Sequence, residues 1–118
     1  MSMYQTVVKA IGSEAGLFKE EQMLILFGEN APETLKNYCY NIEVLPVERP
    51  IEKNMTLRIG DDQYRITAVG NVVTKNLHDL GHLTIKFDGA EQADLPGSLH
   101  VALGEYPDIQ LNTKITIN

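Results

Sequence analysis

The chain has 118 residues, which suits one domain over residues 1–118 with a single hydrophobic core. Sixteen acidic residues against ten basic ones give a formal net charge of −6, a balance that repels nucleic acid and anionic membrane surfaces and removes both as default partners. A single cysteine, Cys39, rules out an intrachain disulfide, and apolar runs of about five residues fall far short of the roughly 20 that span a bilayer.

The N-terminal stretch Met-Ser-Met-Tyr-Gln-Thr shows no basic segment followed by an apolar one. The expectation is a cytoplasmic protein without a secretory signal and without membrane insertion. From Tyr4 to Ile11, β-branched residues dominate and the run stops at Gly12, which predicts a first strand. Residues 12–21 read as a loop with a short helical turn over Leu17 to Glu21. Met23 to Phe27 is a continuous apolar run, whose length predicts a strand buried on both faces rather than a helix. Pro32 can open a short helix that places Leu35 and Tyr38 on one face and ends near Cys39. Tyr40 to Val47 reads as a strand, and Pro46 assigns it to an edge. Such an edge could pair between two copies of the chain as a homodimer.

Met55–Ile59 and Tyr64–Val69 read as a hairpin around Gly60-Asp61-Asp62-Gln63. Thr74 to Gly81 predicts a short helix, with Thr74 as its N-cap and Gly81 as its left-handed stop. His82–Asp88, Ser98–Leu103 and Thr113–Ile117 supply the last strands. The expected fold class is all-β: a closed or nearly closed barrel of about eight short strands with one or two brief helices.

The segment from Leu80 to Val101 holds two of the three histidines, His82 and His100, each at or in a predicted strand. A neutral imidazole can serve as base, metal ligand or phosphoryl acceptor, so these two are the candidate catalytic residues. Each also suits the plainer role of a hydrogen-bonded structural histidine. His78 lies on the short helix and reads as solvated. Cys39, at a helix C-terminus, lacks the positive field that activates a thiol and reads as a buried side chain. The acidic pairs Asp61 with Asp62 and Glu91 with Asp94 lack calcium-loop spacing and read as solvated turns. No phosphate-loop, dinucleotide-binding or zinc-protease motif is present, so no cofactor and no metal is expected.

Short stretches along nearly the whole chain carry a family resemblance: Tyr4-Gln5-Thr6, Gln22-Met23-Leu24-Ile25, Ala31-Pro32, Tyr38-Cys39, Thr67-Ala68-Val69-Gly70, Asn76-Leu77, Leu80-Gly81-His82, Phe87-Asp88-Gly89, Pro96-Gly97 and His100-Val101. Together they resemble the glucitol/sorbitol-specific IIA components of the bacterial sugar phosphotransferase system. The resemblance implies a small β-barrel that takes a phosphoryl group on a histidine from the phosphocarrier HPr and passes it to the sugar-specific IIB/IIC components. It also implies an acceptor a few residues after the Tyr-Cys pair, and here that position is Ile42 in Tyr40-Asn41-Ile42.

Three readings follow. The first is a IIA-like relay, with His82 and His100 as the remaining acceptors. The second is a non-catalytic regulatory or binding relative that kept the barrel and lost phosphotransfer. The third is an unrelated ligand-binding barrel that uses His82 and His100 for a metal or an anion.

Overall fold

The computed structural model describes residues 2–118. Eight strands close into a barrel: β1 (Tyr4–Ile11), β2 (Met23–Phe27), β3 (Tyr40–Ile42), β4 (Thr56–Ile59), β5 (Asp62–Val69), β6 (Leu83–Lys86), β7 (Ser98–Val101) and β8 (Lys114–Ile117). Around the barrel their order is β1-β3-β2-β6-β7-β5-β4-β8. Two helices, α1 (Glu33–Lys36) and α2 (Val73–Leu80), and a 3-10 turn (Lys19–Glu21) decorate it. The expected all-β barrel of about eight strands is what forms. No helix among the described residues is long and apolar enough to cross a membrane.

The barrel follows from period-2 alternation, which sends every second side chain inward. Val8, Leu24, Leu26, Ile42, Leu57, Ile59, Ile66, Leu83, Ile85, Leu99, Val101, Ile115 and Ile117 are all buried and form one core cluster. Most ladders are antiparallel, but β2 runs parallel to β3 and β6 runs parallel to β7. Those parallel pairs need connections that leave one end of the barrel and return to the other. The connections carry α1 and the long 87–97 loop.

Several local expectations change. The Met23–Phe27 run is not buried on both faces: Leu24 and Leu26 point inward, while Met23 and Ile25 are half-buried on the outside. The predicted edge strand over Tyr40–Val47 stops at Ile42, before Pro46, and is no edge, because β1 and β2 pair with it on both sides. Residues 43–48 then run along β1 irregularly, with Thr6 Oγ1 donating to Glu43 O at 2.7 Å. The strand edge invoked for a homodimer is therefore occupied within the chain.

The β4–β5 turn is tighter than expected, with Ile59 opposite Asp62 and Gly60 at φ +59°. The first helix is a single turn that ends before Leu35 and Tyr38 can share a face. Thr74 does not cap α2, since Val72 occupies that position without a side-chain cap. Its hydroxyl instead accepts the Ile51 N–H at 3.0 Å and pins the 48–54 loop to the helix. Gly81 does end α2, at φ +67°, where a side chain is strained. The last three strands are shorter than predicted at one or both ends.

Candidate functional site

Gly81 turns the chain out of α2 and straight into the start of β6, so the next residue, His82, lies beside the end of β2. The approach is close because both chains carry glycine there. Gly28 N–H donates to Leu80 O at 2.9 Å, and a Cβ on Gly28 would lie 2.6 Å from that oxygen. The half-buried His82 ring stacks on Phe27 at 4.3 Å between centroids, with planes 27° apart. Its Nδ1 lies 3.3 Å from Leu26 O. A carbonyl only accepts, so Nδ1 carries the hydrogen and the neutral ring keeps its lone pair on Nε2.

Phe27 is opposite Asn41 in the parallel β2–β3 ladder, and Asn41 Nδ2 donates to Phe27 O at 3.3 Å. His82, Phe27 and Asn41 thus form an outward-facing row across three strands. Ile42, the next residue, points the other way and is only 1% exposed in the core. A cleft of about 360 Å³ opens beside it, lined by Lys9, Glu29, Asn41, Ile42, Glu43 and Val44.

His100 stands elsewhere. It pairs with Lys86 across β6–β7 and with Ala68 across β5–β7. Lys86 lies four positions beyond His82, about 13 Å of strand, so the two histidines do not converge on one ligand. That separation removes the shared metal or anion site of the third reading, and no group of three or more His, Cys, Asp or Glu that could hold a metal occurs among the described residues. The His100 ring is buried on the outer wall beneath the 87–97 loop. Its Nδ1 lies 2.9 Å from Asp88 Oδ1 and its Nε2 3.1 Å from Asp94 Oδ1, while Asp94 also pairs with Lys86.

Sequence reasoning read Asp94 as a solvated turn and passed over Asp88. Neither could be matched to His100 without knowing that β6 and β7 run parallel. His78 is exposed as expected, yet its Nδ1 accepts the Val47 N–H at 3.0 Å. Cys39 is buried, donates toward Leu35 O at 3.2 Å, and burial pushes its thiol up, which keeps it an inert side chain.

The Lys86 hydrogen bond holds the Asp94 carboxyl well below the usual range, against the opposing effect of burial, with Ser98, the Lys86 charge and His100 adding to it. Burial raises Asp88, but hydrogen bonds from His100 and the Ala90 N–H and the His100 charge outweigh it, and the net shift is downward. A lowered carboxylate stabilises the fold above its unfolded value, near pH 4, and that contribution fades as pH falls through the lowered folded value. Acid unfolding is therefore expected to steepen below about pH 4. Asp94→Asn should flatten this limb in a pH series of thermal melts, and an unchanged acid limb would remove Asp94 from it.

The sequence model of the family described as "PTS system glucitol/sorbitol-specific IIA component" matches residues 3–116. The chain belongs to this family. Two proteins called PTS system glucitol/sorbitol-specific EIIA component, from Shigella flexneri and from Escherichia coli (strain K12), are each 40% identical to it over 106 residues, 90% of this chain and 85% of theirs. The crystal structure of a PTS system IIA component from Enterococcus faecalis V583 superposes with a TM-score of 0.83 at 31% identity, covering 95% of this chain and 97% of that one. As a member of the glucitol/sorbitol IIA family, this chain forms the closed eight-stranded barrel. Among the described residues, His82 is the one half-buried histidine with a ring nitrogen that has no partner there; His100 has both nitrogens engaged, and exposed His78 has one.

Proposed function

We propose that this glucitol/sorbitol IIA component works in the cytoplasm, docking with its family's phosphotransfer partners, the phosphocarrier HPr and a IIB component, without taking the phosphoryl group on β3. The observation that carries this reading is Ile42. By the family resemblance it stands where the acceptor histidine belongs, and it is a core side chain only 1% exposed with no nucleophilic atom. Asn41, beside it on the outside of β3, is an amide and no phosphoryl acceptor. A body at net charge −6 suits docking to a basic face on a partner. The role that remains is regulatory: a barrel that occupies partners without relaying the group.

The geometry of His82 favours one second reading. The neutral ring's Nε2 lone pair is uncommitted, and the ring sits in the row that ends at β3. In transfer to His82, Nε2 would form the new N–P bond while the carrier's N–P bond breaks and returns its electron pair to the carrier imidazole.

Incubation with phosphorylated HPr separates the two. Wild-type protein is expected to gain no acid-labile label by intact-mass spectrometry, with a relative that bears the family histidine as positive control. A chemical-shift titration with unphosphorylated HPr or IIB should still report binding. Label that disappears in His82→Gln would replace the regulatory reading with a relay through His82.

A further inference from the structure

The 87–97 loop has no helix or strand, yet a small set of polar contacts fastens it to the barrel wall. Thr67 Oγ1 on β5 donates to Ala90 O at 2.6 Å. Lys86 on β6 pairs with Asp94. His100 on β7, 1% exposed, lies between the carboxylates of Asp88 and Asp94. The Asp94 backbone N–H also points at His100 Nε2, at 3.3 Å.

Nε2 therefore has an acceptor and a donor within reach at once. A neutral imidazole has one N–H and one lone pair. Protonated on Nδ1, it donates to Asp88 and accepts the Asp94 N–H, but its Nε2 lone pair then faces an Asp94 carboxylate oxygen. With a second proton, Nε2–H donates to that oxygen instead. The ring has partners in both forms without moving. The charged form exchanges a neutral hydrogen bond for charge-assisted ones, about twice as strong. The other groups facing the ring are Lys86, through Asp94, and Ser98; Ala68, opposite on β5, carries no charge. Lys86, Asp88, Asp94 and neutral His100 sum to one negative charge, and the added proton brings the cluster to neutrality.

We propose that His100 is a proton-strengthened latch that holds the Asp88–Asp94 loop against the outer wall of the barrel. The loop is one side of a groove of about 710 Å³, with Glu91, Gln92 and Ala93 facing Thr67, Ala68 and Val69 of β5 and with Glu52 and Lys53 at its end. Loosening the latch frees that wall. His100 is thereby a positioning residue, and its buried ring is withdrawn from phosphoryl chemistry.

Hydrogen exchange of the 88–97 amides, expressed as protection relative to intrinsic chemical rates, tests the latch at about pH 5.5 and about pH 8, either side of the ordinary histidine range. Wild-type protection is expected to fall by roughly three- to tenfold at the higher pH, as a charge-assisted hydrogen bond at Nε2 gives way to a neutral one. His100→Gln keeps a donor and an acceptor but no charge, and should show the same protection at both. Asp88→Asn, a change at an exposed loop residue, should lessen the pH dependence if the glutamine variant does not fold. Wild-type protection that is independent of pH, or an unaltered pH dependence in either variant, would overturn the proposal.

Discussion

Gly70→Ala is expected to destabilise the protein by about 3 kcal/mol or more, lowering Tm by roughly 10 °C or more. An added Cβ would lie 2.1 Å from Pro96 O and 2.6 Å from Leu95 O. Both obstacles are backbone, so no rotamer change relieves them. They belong to a knot of main-chain hydrogen bonds in which Gly70 N–H donates to Ser98 O at 2.9 Å and Val72 N–H to Pro96 O at 3.0 Å. The knot joins the end of β5, the start of α2 and the entry to β7, so one methyl group displaces three elements. Gly16 has nothing within 4 Å of its would-be Cβ and makes the internal control. Gly16→Ala should leave Tm level or slightly raised, because it only stiffens the unfolded chain. Equal melting temperatures for the two variants would show that the Gly70 contact relaxes freely.

Phe87→Ala carries the second large effect, a loss of about 3–5 kcal/mol in urea unfolding. Phe87 is 1% exposed and closes one end of the core. Its ring meets Tyr64 edge-on at 4.9 Å and Tyr106 at 5.7 Å, and Tyr106 Oη donates to Met23 O at 3.2 Å. Truncation leaves a cavity between two tyrosines that other hydrogen bonds hold in place, so the site cannot collapse. Phe87→Leu keeps much of the volume and should cost less than about 1.5 kcal/mol. The tyrosines supply a second readout. Burial, with Asp62 and Glu105 nearby, pushes the Tyr64 phenol up to about 12. Water admitted by Phe87→Ala should bring that ionisation back toward its usual range near 10 in an ultraviolet titration. A Tyr64 ionisation unmoved by the truncation would mean the end of the barrel stays dry.

How far the sequence carries the fold can be judged at particular residues. Tyr4–Ile11 and the Gly81 stop were legible because period-2 alternation and the left-handed preference of glycine are local properties. Pro46 misled because proline signals only that a ladder is broken; the chain left the strand four residues earlier, and β3 gained a neighbour on each side. The Met23–Phe27 run misled because apolar residues on a barrel's outside can be half-covered by packing loops. Thr74 looked like a cap but found a partner in Ile51, distant in sequence.

The same division holds for the site. The residues alone marked Leu80–Val101 as the segment with chemistry in it and His82 and His100 as its candidate groups, and the family resemblance put Ile42 where it implies a histidine. Residue identity decides what an atom can do, and none of that needs a fold. Tertiary structure alone decided that the two histidines lie apart, His82 just before β6 and His100 on β7 opposite Lys86 at the other end of β6, that His82 rests on Phe27 with Nε2 uncommitted, and that Asp88 and Asp94 enclose His100. The physical reason is the parallel pairing of β6 with β7. It sets the connecting loop across the outer wall and brings its carboxylates to a ring that no local spacing could assign to them.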